Sequence, residues 1–376
     1  MSGDGTARFP RPALVVVKIG SSSLRGADGR FDRGRVRTLC DQVARLRADG
    51  VPVVVVTSGA VAAGLGEFGL ARRPGDTATL QATAAVGQGA LVHAYREALA
   101  AHGLVGAQLL LSQDDFVVRR RYLNARTALL RLLELGAVPV INENDAIATE
   151  ELVYGDNDHL AALVASMLAA DLLVMLSDVE GLLDRPPSEP GARLIPRVDD
   201  PSALDLTRIG GAGSSVGSGG MRTKLGSAEV ATRTGAHVVV ADAHRPDVLV
   251  DAAAGREVGT WFVARPGRME ARRLWIAFVL RTRGRVTVDA GAVGVLRRGS
   301  ASLLGVGVTG CDGAFAAGDA VEIVGPDGAV VARGLTAYDA ADVARLAGRS
   351  TEAAVAELGP GYGREVVHRD DLAVLD

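Results

Sequence analysis

Two lysines are the residues of this sequence best suited to bind a phosphate group. The chain contains 41 lysine and arginine residues, and only Lys18 and Lys224 among them are lysines. Because arginine serves as the general cation elsewhere, lysine at two positions indicates sites that need a compact point charge. Each lysine lies within a few residues of a glycine, where free backbone N–H groups can attract an anion. We therefore predict that both lysines contact phosphate. The alternative is that both are surface lysines that bind no ligand.

The glycine-rich segments beside these lysines do not match the common nucleotide-binding motifs. Residues 217–224 lack the Gly-Lys-Ser/Thr ending of a Walker A loop, and Gly20 with the three serines after it lacks the dinucleotide-binding pattern. A flexible linker is the usual meaning of Gly/Ser composition at 209–221. Since a linker inside an α/β domain would be unusual, we predict an ordered or ligand-ordered loop.

Asparagines and carboxylates are concentrated in two short polar runs. Residues 142–145 and 155–159 hold three of the four asparagines of the chain, Asn142, Asn144 and Asn157. A carboxylate here could pair with a substrate ammonium group, and another could hold a lysine in place. Ordinary turn chemistry is the alternative. Ser58 and the pair Ser177-Asp178 also follow apolar runs, where they could bind a ligand or only cap a helix.

Apolar runs alternate with helical patterns along the first part of the chain. Buried strands are predicted at 14–18 and 51–56, and further strands at 104–111, 137–141, 172–176 and 237–241, after a loose leader at 1–12. This alternation predicts an α/β fold with a doubly wound, mostly parallel sheet. Ligands of such sheets bind beyond the carboxyl ends of the strands, where the polar groups above are placed.

The composition changes near residue 270, which suggests a second domain. Residues 265–285 contain seven arginines, and short β runs follow at 285–288, 293–296, 321–324 and 330–332. These runs predict a small C-terminal β-barrel-like domain. The predicted boundaries are 1–268, an Arg-rich linker at 269–282, and 283–376.

Composition excludes several classes of protein. With 48% hydrophobic residues, 23% charged residues and a net charge of -3, the chain is neither disordered nor a generic nucleic-acid binder. Cys40 and Cys311 lie outside any metal-binding spacing, no metal site is predicted, and no Ser/His/Asp order appears. No apolar stretch is long enough for a signal peptide or a membrane span, so a cytoplasmic protein without a membrane partner is predicted.

Six motifs together resemble the amino acid kinase family. They lie at 15–22, 56–64, 140–145, 155–158, 176–182 and 217–224, in order and at family spacing. The similarity is strongest to members that phosphorylate the γ-carboxylate of glutamate. Residues 288–293, 299–304, 318–319 and 332–335 resemble the PUA domain that bacterial members append.

The resemblance implies roles for individual residues. It implies catalytic roles for Lys18, Lys224 and Asp158, and glutamate-binding roles for Ser58, Asp145, Asn157 and the neighbouring Asp156. It implies ATP-binding roles for Lys18, Gly20, Ser177, Asp178, Ser218, Gly219, Gly220, Met221, Arg222, Thr223 and Lys224. Ser177 and Ser218 stand where the family often has threonine, and both keep the hydroxyl.

The resemblance also implies an activity and its partners. The implied reaction is ATP- and Mg²⁺-dependent phosphorylation of L-glutamate to L-glutamyl 5-phosphate, the first step of proline biosynthesis. Proline as a feedback inhibitor and a homo-oligomer, dimer or tetramer, are implied as well. The alternatives are another member of the family, such as an acetylglutamate or aspartate kinase, and an RNA-binding protein that uses the PUA domain. The acidic balance of the chain argues against RNA.

Overall fold

The computed structural model describes most of the chain as two compact units, Met1–Arg268 and Met269–Asp376. The described residues are 8–26, 29–70, 72–112, 115–116, 118–147, 157–186, 189–204, 220–265, 273, 275–280, 282–299 and 301–375. The predicted site residues Asp156, Ser218 and Gly219 lie outside them. Within the described part of the chain, every helix is too short or too polar to cross a membrane.

An eight-stranded sheet forms the centre of the first unit. Its strands are β1 Val15–Ile19, β2 Val53–Thr57, β3 Gly106–Leu111, β4 Val138–Glu143, β5 Leu172–Ser177, β6 Arg197–Val198, β7 His237–Asp242 and β8 Thr260–Phe262. They are ordered β3-β4-β2-β1-β5-β7-β8-β6. All neighbouring strands are parallel except β7 and β8. Strands β1, β2 and β5 are buried on both faces, as their continuous apolar runs predict.

Helices cover both faces of this sheet. They are α1 Arg33–Ala48, α2 Ala60–Glu67, α3 Thr77–Ala100, α4 Arg119–Glu134, α5 Asn157–Leu168, α6 Met221–Arg233 and α7 Val248–Ala253. Residues of α1, α3 and α7 pack on the face of β1 that carries Val15 and Val17. Helix α5 packs against β1, β5 and α6. The predicted doubly wound, mostly parallel α/β fold is confirmed.

The leader predicted at 1–12 is not loose at its end. Phe9 is buried, and its ring stacks on the imidazole of His237 with a centroid distance of 4.8 Å. The amide of Arg8 also donates to the carbonyl oxygen of Gly255. A single aromatic residue that finds a partner far along the chain leaves no periodic signal, so the sequence prediction was wrong here.

Two glycines allow α2 and α3 to pack with their backbones in contact. A Cβ atom on Gly87 of α3 would overlap the carbonyl oxygen of Ala60 and the amide nitrogen of Gly64. A Cβ atom on Gly64 would in turn overlap the carbonyl oxygen of Thr83. The position of the α2 N-terminus therefore depends on the absence of side chains at Gly64 and Gly87.

The substitution Gly87→Ala tests this contact. We expect it to lower the free energy of unfolding by about 3 kcal/mol or more, since overpacking against backbone is not relieved by rotamer changes. Gly89→Ala is the matched control, because Gly89 lies on the same helix with open space around its Cβ position. There the change should stabilise the protein by up to about 1 kcal/mol. Urea unfolding of both variants measures the difference, and equal effects would contradict the contact.

A five-stranded sheet forms the centre of the second unit. Its strands are β9 Thr282–Val288, β10 Val308–Gly313, β11 Ala320–Val324, β12 Val330–Thr336 and β13 Val367–Val374, in the order β10-β9-β11-β12-β13. The helices of this unit are α8 Ala290–Arg297, α9 Ala340–Leu346 and α10 Thr351–Leu358. Within the predicted linker, Ile276 and Ala277 are buried against Ala373 of this unit. The boundaries given above stay predictions.

The strand predicted at 293–296 is wrong, because these residues belong to α8. Asp289 caps this helix by accepting a hydrogen bond from the amide of Ala292. Leu296 is the one residue of the helix that is buried. A short apolar run has no periodicity that separates strand from helix, whereas an Asp directly before the run is an N-cap residue that favours a helix.

Candidate active site

The two lysines of the chain bind the same carboxylate. Lys18 Nζ lies 2.7 Å from Asp158 Oδ1, and Lys224 Nζ lies 3.0 Å from Asp158 Oδ2. The exposed fractions are 6% for each lysine and 1% for Asp158. Three charged groups are thus buried together, with two positive charges against one negative charge.

The ion pairs decide the charge state of Asp158. Burial by itself would raise the pKa of its carboxyl group, but Lys18 and Lys224 outweigh burial and hold this pKa below its ordinary value. The carboxyl group is therefore ionised at neutral pH. A net charge of about +1 remains on the cluster of three side chains.

Three elements of the sheet-and-helix framework bring these side chains together. Lys18 lies near the carboxyl end of β1, with Ile19 in register with Thr57 of β2 and Leu176 of β5. Asp158 lies in the first turn of α5, and Lys224 in the first turn of α6. The cluster stands beyond the ends of central parallel strands, where α/β sheets bind ligands.

A polar pocket with charges of both signs lies beside this cluster. It is lined by Ser21, Arg25, Ser58, Gly59, Ala60, Val61, Ala62, Arg73, Asp145 and Asn157. The Asn157 amide donates a 2.8 Å hydrogen bond to the Ser58 hydroxyl, which joins the start of α5 to the end of β2. Gly59 has a φ of 107°, a left-handed conformation that glycine adopts without strain, and it starts α2 with no side-chain cap.

Asp145 is the acid of this pocket. It is half-buried in the turn after β4. Burial raises its pKa to about 6, while the positive charge of Arg73 acts in the opposite direction. A carboxylate that is poorly solvated and only weakly neutralised has a strong tendency to bind a cation.

The predicted ATP-binding residues that are described lie at the same end of the sheet or at the start of α6. Ser177 ends β5, is buried, and donates a 3.2 Å hydrogen bond to the exposed Asp178. A Cβ atom on Gly20 would lie 3.5 Å from Lys18 Nζ, so Gly20 is next to the ammonium group. Gly220, Met221, Arg222 and Thr223 precede Lys224, and Thr223 donates to the carbonyl oxygen of Gly220.

Several residues of the site left no clear signal in the sequence. Arg25 and Arg73 line the pocket, yet they resemble the many other arginines of the chain. Gln88 of α3 accepts a 2.8 Å hydrogen bond from the buried Asn142 at the end of β4. Arg25 lies seven residues after Lys18, on the loop that follows β1. This short spacing is the one feature of the sequence that could have indicated a position near the lysine.

Family models match both parts of the chain. Residues 13–242 match the amino acid kinase family, and residues 284–358 match the PUA domain. The second match agrees with the separate β sheet of the C-terminal unit.

Curated proteins named glutamate 5-kinase are similar to nearly the whole chain. The protein of Salinispora arenicola is 50% identical over 96% of this chain and 97% of its own length. Those of Thermobifida fusca and Frankia casuarinae are 48% and 49% identical over 99% and 96% of this chain, and each match covers 96% of the relative. The resemblance noted in the sequence is thereby confirmed, and the chain belongs to the amino acid kinase family.

Proposed function

We propose that this protein transfers the γ-phosphoryl group of ATP to the γ-carboxylate of L-glutamate. The products are L-glutamyl 5-phosphate and ADP, and the reaction is the first step of proline biosynthesis. The observation that carries the proposal is the buried cluster of Lys18, Asp158 and Lys224 beside a pocket of mixed charge. The name shared by the most similar curated relatives supports the same activity.

The chemical problem of this reaction is the approach of two anions. A carboxylate oxygen attacks the γ-phosphorus, and the bond from that phosphorus to the bridging oxygen of ADP breaks. Each pair of like unit charges at 4 Å costs about 4 kcal/mol at an effective dielectric constant of 20. Lys18 and Lys224 offset this repulsion and bind the charge that spreads over the transferring group.

Acid–base catalysis is not required. A γ-carboxyl group with an ordinary pKa near 4.3 is already ionised at neutral pH, so no protein group must remove a proton from it. Asp158 acts as a positioning residue in this proposal. It holds both ammonium groups in place before the phosphates arrive, so that little reorganisation accompanies the reaction.

The pocket residues fit the other end of glutamate. Asp145 pairs with the α-ammonium group, and Ser58 and Asn157 bind the substrate beside the lysines. Among the described residues no group of three side chains could hold a metal ion, and both oxygens of Asp158 face lysines. Mg²⁺ is proposed to enter as Mg-ATP, because this ion prefers oxygen ligands such as the phosphate oxygens of the nucleotide.

Purified protein tests the proposal directly. With Mg-ATP and L-glutamate we expect ADP release, and hydroxylamine should trap the acyl phosphate as a hydroxamate. The same assay with N-acetylglutamate or with aspartate in place of glutamate distinguishes this activity from that of an acetylglutamate or aspartate kinase. Failure to form hydroxamate with glutamate, at any concentration that the protein tolerates, would refute the proposal. Proline inhibition and a dimeric or tetrameric assembly stay predictions of the family resemblance.

The pKa of Asp145 gives this activity a pH dependence with a definite sign. The carboxyl group is ionised above about pH 6 and protonated below it, and only the ionised form attracts the α-ammonium group. We expect kcat/KM for glutamate to fall about tenfold per unit as pH decreases below 6. The pH profile of kcat should bend at a lower pH than that of kcat/KM, because the α-ammonium group of bound glutamate stabilises the ionised form of Asp145. Asp145→Asn should remove the bend in kcat/KM, and a variant that retains it would contradict this assignment.

A further inference from the structure

The charges that line the pocket are unbalanced without a substrate. Arg25 and Arg73 supply two positive charges, whereas Asp145 supplies one negative charge. The backbone amides at the start of α2, near Ala60, add partial positive charge on the same wall. A ligand of this pocket therefore needs one positive group for Asp145 and at least one further negative group.

Arg25 is held at the pocket by its own loop. Its amide donates to the carbonyl oxygen of Ser22, and its backbone pairs with Phe31 across a short antiparallel bridge. The preceding Leu24 is fully buried and lies close to Gly59 at the start of α2. The backbone at Arg25 is thus fixed against the same helix start that lines the pocket.

The guanidinium group of Arg25 lacks a protein partner among the described residues. Its Nε–H group is buried and donates to no acceptor there, and no carboxylate of those residues forms an ion pair with the guanidinium group. Arg73 differs, because it is exposed and its charge acts on Asp145. A buried guanidinium nitrogen without a partner costs free energy unless a ligand supplies the acceptor.

We propose that Arg25 binds the α-carboxylate of the amino acid substrate and thereby selects an α-amino acid over other carboxylates. This inference rests on the proposed function, and it adds a residue to the pocket. Asp145 takes the ammonium group and Arg25 takes the carboxylate on the same carbon. The side-chain carboxylate then extends past Ser58 and Asn157 towards Lys18.

Kinetics of the full-length protein test the role of Arg25. We expect Arg25→Ala to raise KM for glutamate about 10- to 100-fold, the range for loss of a hydrogen bond to a charged group. The KM for ATP, the kcat and the melting temperature should change little. Arg25→Lys should recover part of the affinity, because it keeps the charge but not the planar fork. Arg37→Ala, which removes an exposed arginine of α1, is the matched control and should behave as the unmodified protein.

An analogue separates a binding role from a structural one. 4-Aminobutyrate keeps the ammonium group and the reacting carboxylate of glutamate but lacks the α-carboxylate. Its inhibition constant against glutamate should be the same in the unmodified protein and in Arg25→Ala. An unchanged KM for glutamate, or an equal loss for glutamate and 4-aminobutyrate, would overturn the assignment of Arg25. Absence of glutamate turnover in the unmodified protein would instead refute the proposed function.

Discussion

Lys224→Ala should reduce kcat about 10³-fold, the effect of removing one preorganised group that stabilises transition-state charge. The KM for glutamate should change little, since the pocket proposed to bind the amino acid does not include Lys224. The fold should persist, because Asp158 keeps its 2.7 Å ion pair with Lys18. Single-turnover measurement of ADP formation gives the rate, and circular dichroism confirms the fold.

Two further variants sharpen the test of Lys224. Lys224→Arg keeps the charge but not the compact ammonium group, so we expect it to recover only a small part of the rate. Arg131→Ala removes an exposed cation of α4 and should leave kcat unchanged. A decrease of less than tenfold for Lys224→Ala would contradict contact between this lysine and the transferring phosphoryl group.

Asp158→Ala should have the largest effect on stability. It removes the carboxylate that the two buried ammonium groups share, and removing one partner of a buried ion pair costs about 3–5 kcal/mol. Activity should fall as well, since the lysines lose the carboxylate that positions them. Urea unfolding near pH 7 measures the change, because the lowered pKa of Asp158 keeps its full charge present there.

An exposed aspartate provides the control for Asp158. Asp199 pairs with Arg197 at 2.6 Å, but both side chains are more than half exposed. Asp199→Ala should therefore change the free energy of unfolding by less than about 1 kcal/mol. Asp158→Asn keeps the volume and should destabilise less than Asp158→Ala, because it leaves no cavity. Equal small effects at Asp158 and Asp199 would show that the buried cluster contributes little to stability.

The sequence contains most of the information needed for the sheet. Continuous apolar runs such as the one at β1 predict strands buried on both faces, and polar residues at their ends predict a ligand site at one edge. The rarity of lysine distinguishes Lys18 and Lys224 from the many arginines, and the structure pairs both with one carboxylate. Their catalytic roles stay predictions until the variants are measured.

Other features depend on contacts that a single sequence does not encode visibly. Arg25 is one arginine among many, and only the packing of its loop on the start of α2 places it at the pocket. Phe9 packs on His237 through a contact between distant parts of the chain. The helix at 290–297 was missed because an apolar run of this length fits either kind of element.

Helix α3 contacts both sides of the pocket proposed to bind the amino acid. Gly87 lies under Ala60 on one wall, and the next residue, Gln88, binds Asn142 at the base of the turn that carries Asp145 on the other. Two consecutive residues of one 24-residue helix therefore contact the start of α2 and the end of β4. Because packed interiors transmit displacements, a change in the packing of α3 should move both walls of the pocket together.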